Sequence, residues 1–388
     1  MATTVITGVQ YSGIWSLAGQ ANAKALTTWP SQPAPALFSW GLNSGGQLGL
    51  GNTTNYSSPK QVGSLTTWLK ISGGTYFSVA IKTDGTLWSW GNNAIGYLGL
   101  GNLTFYSSPK QVGALTTWSQ VSAGNYHCAA IRTDGTLWTW GYNVSFGALG
   151  LGNSTNYSSP KQVGSLTTWS QVSAGNYRVL AITTSGALYS WGYGSSGALG
   201  LGNTTDYSSP KQVGALTNWA SVSSSRNGGS FALAVKTDGT LWFWGQGGVG
   251  QSGLGNLTYY SSPKQIGALT NWSTVSAAVA HSVAVTTSGL LYAWGQGSQG
   301  QLGLNNLTNY SSPKQVGALN TWSKINACSF FTLSIKTDGT LWSWGANSNG
   351  QLGLGNTTYY SSPKQVGSLT SWVSITSGST FTLAIKNT

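Results

Sequence analysis

The side chains of this chain that could carry acid–base or metal chemistry are few and lie far apart in the sequence. The 388 residues include 5 Asp+Glu, 2 His and 2 Cys. Catalysis by acids and bases, and metal binding, need such groups to converge. We find no nucleophile–base pair, no phosphate-binding glycine loop before a helix and no metal-type cysteine spacing. The sequence therefore predicts a protein that is not an enzyme and that binds no metal and no cofactor.

The positions of these groups follow an internal repeat. A segment of about 51 residues recurs seven times from residue 37 onward, which is typical of ring or solenoid architectures. Each copy carries a Trp-Gly pair, a Ser-Ser-Pro-Lys stretch and a lone Trp followed three residues later by Val or Ile. The tryptophans of the Trp-Gly pairs are Trp40, Trp90, Trp140, Trp191, Trp244, Trp294 and Trp344. We expect every repeat to build the same unit.

Each repeat predicts about four short antiparallel strands. Residues 77–81 and 86–90 are β-prone runs joined by Asp84-Gly85, a strong hairpin signal. The Pro-Lys-Gln-Val stretch and the lone-Trp stretch supply two more strands. Seven four-stranded blades form an all-β, seven-bladed β-propeller. The same turn recurs at Asp134, Asp238 and Asp338, so four of the five acids are expected to face solvent in turns.

The chain ends predict how the ring closes. The first repeat begins at Leu37 without its leading strands, and the last one stops before its Trp-Gly strand. The N-terminal strand should therefore complete the last blade and cover two exposed edges. This divides the chain into a short arm, residues 1–36, and a propeller, residues 37–388.

The stretch from Trp40 to Gly51 reads Trp-Gly-x-Asn-x-x-Gly-Gln-Leu-Gly-x-Gly and resembles the repeat of the regulator of chromosome condensation family. The resemblance covers residues 37–388 and implies a seven-bladed propeller. The family histidine before the apolar strand is present only at His127 and His281. The eukaryotic founder is an exchange factor for the GTPase Ran and binds chromatin. The short, uniform loops and lack of a basic tail here lead us not to expect exchange activity.

Candidate binding residues lie where the repeats disagree, in the loop before each apolar strand. A longer loop at Arg226 and an extra residue around Phe146 break the sevenfold pattern. Loops on a rigid scaffold commonly carry binding, although drift at unconstrained positions would look the same. His127 and His281 also fit an aromatic slot at the core edge, because most other repeats have Phe there. The candidates are Phe77, His127, Arg178, Arg226, His281 and Phe331.

A second candidate set is a ring of lysines. The net charge is +12, and much of it recurs with the repeat. A lysine on an edge strand can simply deter aggregation, or the ring can bind an anionic partner. Without clustered Arg, nucleic acid is not expected as that partner. The lysines are Lys60, Lys110, Lys161, Lys211, Lys264, Lys314 and Lys364.

Three further features fit structural roles. Cys128 and Cys328 sit among Ala and Leu and are expected to be free buried thiols. Asp206 replaces an Asn of a polar loop. The Asn-x-Thr/Ser sequons recur in phase and are expected to be turn residues.

The first 36 residues carry another resemblance. Tyr11 to Leu17, Gln20 and the pair Trp29-Pro30 resemble a segment of structural proteins of tailed bacteriophages. The resemblance makes Trp15 and Trp29 candidate apolar anchors. No secretory signal and no membrane-spanning stretch is expected.

The preferred functional hypothesis is a non-enzymatic virion protein, either a tail- or fibre-associated binding module or a decoration protein. Its partners would be other virion proteins, copies of itself in an assembly, or host surface glycans. The alternative is a cytoplasmic protein-interaction or exchange-factor-like module. A carbohydrate-active propeller enzyme is disfavoured by the missing carboxylates.

Overall fold

The computed structural model describes residues 35–387, and this part of the chain forms a seven-bladed β-propeller of four-stranded antiparallel sheets. The sequence prediction of fold class is therefore confirmed. The strands in chain order are β1 Pro35–Gly41, β2 Tyr56–Gln61, β3 Trp68–Gly73, β4 Phe77–Lys82, β5 Leu87–Gly91, β6 Tyr106–Gln111, β7 Trp118–Ala123, β8 His127–Arg132, β9 Leu137–Gly141, β10 Tyr157–Gln162, β11 Trp169–Ala174, β12 Arg178–Thr183, β13 Leu188–Gly192, β14 Tyr207–Gln212, β15 Trp219–Ser224, β16 Phe231–Lys236, β17 Leu241–Gly245, β18 Tyr260–Gln265, β19 Trp272–Ala277, β20 His281–Thr286, β21 Leu291–Gly295, β22 Tyr310–Gln315, β23 Trp322–Cys328, β24 Phe331–Lys336, β25 Leu341–Gly345, β26 Tyr360–Gln365, β27 Trp372–Ser377 and β28 Phe381–Asn387.

Blades 1 to 6 use four consecutive strands each, from β3–β6 in blade 1 to β23–β26 in blade 6. The first strand of each blade is innermost, and the innermost strands contact one another in a closed circle around the axis. A 3₁₀ turn at Ser195–Gly197 lies between β13 and β14. Within the described residues, no helix has the length and hydropathy needed to cross a membrane.

Blade 7 closes the ring by joining both ends of the propeller. Its strand order is β2-β1-β28-β27, with β1 antiparallel to β28 from the pair Pro35–Asn387 to the pair Gly41–Phe381. The predicted closure by the N-terminal strand is confirmed, and β2 follows it into the same sheet. The exposed edges that an open ring would leave are thereby paired.

Glycine at the hairpin between the second and third strands is required by both conformation and space. Gly85 has φ +76°, and a Cβ there would lie 2.1 Å from the carbonyl oxygen of Thr116. That carbonyl belongs to the loop leading to the next blade. The Asp-Gly signal therefore fixes the hairpin and also lets the neighbouring connection pack closely on it.

The core lies between blades, and one tryptophan per blade ties it together. The indole Nε1 of Trp90 donates to the backbone oxygen of Gln47, 2.9 Å away in the preceding blade. Gly49 packs so closely on this ring that a Cβ would lie 2.7 Å from Nε1. All seven Trp-Gly tryptophans are fully buried and make the same inter-blade bond. Each blade thus depends on its neighbour for a hydrogen bond and for apolar burial.

We predict that Trp244→Phe lowers the free energy of unfolding by about 1–3 kcal/mol. The change removes the 3.0 Å bond from Nε1 to the Ala198 oxygen, leaves that oxygen unpaired and opens space between blades 3 and 4. Urea denaturation measures the effect. The matched control is Leu216→Ala at a side chain that is 49% exposed, which should change stability by less than about 0.5 kcal/mol. Equal stability of Trp244→Phe and the wild type would contradict a stabilising role of this inter-blade hydrogen bond.

Candidate functional site

The antiparallel order of the strands sorts the loops onto two faces. Loops after the first and third strands of a blade share one face, which we call the loop face; in blade 1 these are residues 74–76 and 92–105. Hairpins after the second strand and the connections to the next blade share the other, the hairpin face. Backbone bonds such as Asn92 N to Tyr76 O join the two loops of one blade. The positions at which the repeats disagree lie on or just below the loop face.

Five of the predicted binding side chains are buried below that face. Each is the first residue of the second strand of its blade, and none exposes more than 1% of its surface. Direct contact of these side chains with a surface partner, as the sequence suggested, does not fit this burial, because each points into the space between blades. They are Phe77, His127, Arg178, His281 and Phe331.

The two histidines fill the predicted aromatic slot. His127 Nε2 lies 3.2 Å from the Arg178 backbone oxygen, and His281 Nε2 lies 3.0 Å from Thr332 Oγ1. Burial lowers the pKa of His127 to about 4 and that of His281 to about 3. Both rings are therefore neutral at pH 7, and each is more than 90% buried, which confirms the structural interpretation.

Arg178 occupies the same slot in blade 3 and serves the longer loop of blade 4. Its Nη2 donates to Ser225 Oγ at 2.7 Å, to Gly229 O at 3.0 Å and to Phe231 O at 3.1 Å, and its Nε donates to Ser224 Oγ. No carboxylate is among these partners. Burial lowers the pKa of Arg178 to about 9, so the group stays charged at neutral pH. A buried cation solvated by loop carbonyls fixes the shape of that loop.

The longer loop of blade 4, residues 225–230, crosses the propeller axis; we call it the channel plug. Arg226 Nη1 donates to the backbone oxygens of Gly73, at 2.6 Å, and Ala123, at 3.3 Å. These acceptors end the innermost strands of blades 1 and 2, on the far side of the ring. The predicted candidate Arg226 therefore lies at the axis, and its side chain is only partly buried.

Asn227 extends the plug to further blades. With φ +55°, its backbone N donates to Asn125 Oδ1 at 2.7 Å in blade 2, and Thr75 Oγ1 of blade 1 donates to its Oδ1. Its Nδ2 lies 3.0 Å from Cys328 Sγ and 3.2 Å from Ser329 Oγ in blade 6. The plug thus contacts blades 1, 2 and 6 and closes one end of the central channel.

The loop face of blades 1 to 3 carries an aromatic band. Neighbouring rings contact along it with centroid separations from 4.5 Å, between Phe146 and Tyr193, to 6.2 Å, between Tyr97 and Tyr126. Tyr177 touches three of the others. Most of the rings are partly exposed. The band does not continue in blades 4 and 5, which have Gln at the positions equivalent to Tyr142. The band consists of Tyr97, Tyr126, Tyr142, Phe146, Tyr177 and Tyr193.

Tyr177, at the centre of the band, has φ +57°. A left-handed backbone costs a non-glycine residue on the order of 1 kcal/mol and is concentrated at functional sites. Ser145, beside Phe146 in the loop with the extra residue, has φ +78°. Two of the six non-glycine residues with positive φ in the described part of the chain thus lie in the loops that bring the rings together.

The lysine ring lies on the outer strands. Each lysine is exposed, and its Nζ lies 5.4–5.9 Å from the ring centroid of the tyrosine that begins the same strand, such as Tyr56 for Lys60. These strands pair on one side only, as the edge-strand interpretation expects. Binding of an anionic partner by the ring stays a prediction.

The hairpin aspartates are committed to a structural motif that sequence reasoning missed. Asp84 Oδ1 accepts from Thr86 N and Oγ1, at 2.9 and 2.6 Å, and Thr86 Oγ1 accepts from Trp88 Nε1. Lys82 Nζ lies 3.5 Å from the Trp88 ring centroid. The Thr86 hydrogen bonds lower the pKa of Asp84. The same set recurs at Asp134, Asp238 and Asp338.

A visible signal could have revealed this motif. Two hairpins have Ser-Gly in place of Asp-Gly. In both of them Thr replaces the residue equivalent to Lys82 and Tyr replaces the residue equivalent to Trp88, as at Thr183 and Tyr189. All members change together because each supports the next. The acids of these hairpins are thus held by neighbours rather than aimed at a substrate.

The remaining chemistry-bearing residues also have structural partners. Asp206 Oδ1 accepts from Gly194 N at 2.8 Å, as Asn55 does from Asn43. Cys128 and Cys328 are free and buried, as expected. In the sequons, each Asn Oδ1 accepts the backbone N–H two residues on, which confirms the turn interpretation. Within residues 35–387 no group of three His, Cys, Asp or Glu could hold a metal ion. Trp15 and Trp29 lie outside the described residues.

Comparison with known families and structures agrees with this geometry. The family described as RCC1-like domain matches residues 147–388, and the regulator of chromosome condensation (RCC1) repeat matches residues 36–81 and 84–131. A second RCC1 repeat family matches residues 118–147. Prp20p from Saccharomyces cerevisiae superposes with a TM-score of 0.80 at 19% identity, over 92% of each chain. Human WBSCR16 superposes with a TM-score of 0.80 at 21% identity, over 92% of this chain and 99% of that one. These structures share the fold.

Proposed function

Because the chain belongs to the RCC1-like domain family, we propose that it is a non-catalytic protein-interaction module whose partner binds the aromatic band. The observation that carries the proposal is the band itself, which gathers rings from three blades on one face of a rigid scaffold. Aromatic residues are enriched among the side chains that dominate binding energy at protein interfaces. The strained backbone of Tyr177 places its ring among the others before any partner arrives.

Two solved structures support the class of partner. The published description of Prp20p concerns its binding properties to Gsp1p and histones, and another structure shows Kap60 bound to yeast RCC1 (Prp20). Both concern a protein of this fold and its protein partners. We extend only that class of partner to this chain and do not propose nucleotide exchange.

The proposal includes the absence of catalysis, which is supported by the hydrogen bonding and burial of the acid–base groups. The four hairpin aspartates accept hydrogen bonds from Thr side chains, and the two histidines are buried and neutral at pH 7. The proposal corresponds to the intracellular alternative made from the sequence. The virion hypothesis, with its glycan and virion partners, depends on residues 11–30, which lie outside the described residues, and stays a prediction.

We predict that Tyr142→Ser combined with Phe146→Ala weakens partner binding by about tenfold or more, since two hot-spot side chains each contribute about 1 kcal/mol or more. Quantitative affinity capture from the native cells, with wild type and variant side by side, identifies partners that depend on the band. The matched control is Leu65→Ala combined with Leu115→Ala on the hairpin face, where both side chains are exposed. Partners that survive the band variant but are lost with the control would contradict the proposal.

A further inference from the structure

The inner surface of the propeller carries three cations and no acid. Arg226 lies at one end of the axis, and Lys70 and Lys324 lie on the innermost strands of blades 1 and 6. The other innermost strands have neutral Gln, Ser or Thr at the position of these lysines. None of the seven innermost strands contains Asp or Glu. The sequence repeat does not require these charges, so they are particular to this site.

The two lysines lie close enough to repel each other. Lys324 Nζ donates to the backbone oxygen of Val373 on the neighbouring innermost strand. Burial lowers the pKa of Lys324, and the positive charge of Lys70 lowers it further. Two ammonium groups that disfavour each other gain from an anion placed between them.

A polar cavity of about 210 Å³ lies beneath the plug, and Lys70 and Lys324 lie on two of the strands that line it. It is lined by Arg226 and by a ring of hydroxyl side chains, one from most of the innermost strands. Arg226 uses Nη1 for the two backbone oxygens of blades 1 and 2, while its Nε and Nη2 have no hydrogen-bond partner among residues 35–387. Guanidinium N–H groups that face a polar space are suited to an oxyanion.

Five of the serine hydroxyls that line this cavity keep a proton that they can donate. Ser72 Oγ accepts the backbone N–H of Ala123 in the next blade at 2.9 Å, and four further serines repeat the bond from blade to blade. An oxygen that accepts this hydrogen keeps its own proton for donation. The other serines are Ser122, Ser173, Ser223 and Ser276.

We propose that the central channel is a binding site for a phosphate-class oxyanion, which enters from the lysine end and is held by the serine hydroxyls and Arg226. The plug closes the opposite end, so the site is a pocket rather than a through-channel. Convergent donors, net positive charge and lack of carboxylates all favour an anion over a cation or an apolar ligand. The site is separate from the aromatic band, and neither proposal depends on the other.

The test uses inorganic phosphate as the probe, with isothermal titration calorimetry of the full chain at constant ionic strength. The decisive variant is Lys70→Gln combined with Lys324→Ser, which introduces the residues found at Gln120 and Ser374 in equivalent repeats. We expect this variant to fold like the wild type and to bind phosphate about tenfold more weakly, because two charges near the anion are lost.

The matched control is Lys60→Gln combined with Lys364→Gln, which removes the same charge from the outer strands. Phosphate affinity should be unchanged in this control. Equal loss in both variants, or no phosphate binding by the wild type, overturns the proposal. Titration with O-phosphoserine separates two sources of the same chemistry: binding of inorganic phosphate alone indicates a free ion, and binding of both indicates a phosphate carried by a larger molecule.

Discussion

Arg178→Phe is expected to lower the free energy of unfolding by about 3–5 kcal/mol, even though Phe is the residue found in this slot in four other repeats. The reason is the channel plug. Removing the guanidinium leaves the buried backbone oxygen of Gly229 without a donor and takes one of two donors from the Phe231 oxygen and from Ser225 Oγ. An unsatisfied buried acceptor costs about 1–3 kcal/mol, and each lost hydrogen bond to a charged group adds to this cost. Urea denaturation followed by tryptophan fluorescence measures the change.

The chain itself offers the control for this prediction. The six-residue plug, 225–230, can be replaced by residues 124–126, the three-residue loop at the same place in blade 2. In that background the Ser225 and Gly229 acceptors are gone while Phe231 O and Ser224 Oγ remain, so we expect Arg178→Phe to cost at least about 1 kcal/mol less than in the wild type. The difference between the two backgrounds is the coupling energy between the arginine and the plug. Equal costs in both backgrounds would show that the arginine does not act through the plug.

Acidification from pH 6.5 to pH 4 is expected to remove on the order of 3 kcal/mol of stability for each of the two buried histidines. Burial lowers the pKa of His127 to about 4 and that of His281 to about 3, against an ordinary value of 6.5. The unfolded chain therefore binds more protons throughout this range. The stabilising contribution is complete above pH 6.5 and is lost as the pH falls toward 4.

The hairpin aspartates contribute little to the change in stability between pH 6.5 and pH 4. The pKa values of the hairpin aspartates are lowered from 3.8 by hydrogen bonds from Thr, so their contribution is lost only at still lower pH. The double variant His127→Phe and His281→Phe places the residue of neighbouring repeats in both slots. Its stability, measured by urea denaturation at pH 4 and pH 7, should differ much less than that of the wild type. Equal stability of the wild type at pH 4 and pH 7 would contradict the lowered pKa values of the two histidines.

The architecture could be predicted from the sequence because the same signals recur in every repeat. The incomplete first and last repeats, at Leu37 and Ile385, also determined how the ring closes, and β1 pairs with β28 as expected. Periodicity averages over seven copies, so a misleading residue in one copy does not change the prediction. This is why fold class was accessible while the sites were not.

The sites depend on single residues whose environment comes from another blade. Arg178 looked like a surface loop residue because arginine rarely occupies a core position, yet its slot faces the longer loop one blade on. The signal was the occurrence of an arginine and an insertion in adjacent repeats. Similarly, Tyr142 and Tyr177 are 35 positions apart, and their contact follows only from the placement of two loops on one face.

Because blade 7 contains strands from both ends of the propeller, β1 can pair with a wrong strand until β28 has been synthesised. On a ribosome adding roughly 5–20 residues per second, β1 emerges tens of seconds before its partner β28. During that interval its edge meets six finished blades whose strands have nearly the same sequence. The outermost strand β2 carries Pro59 and Lys60, which cannot extend a sheet or tolerate burial well. The seam of the ring thus forms last, and the polar outer strands disfavour pairing between sheets of the growing chain until it has formed.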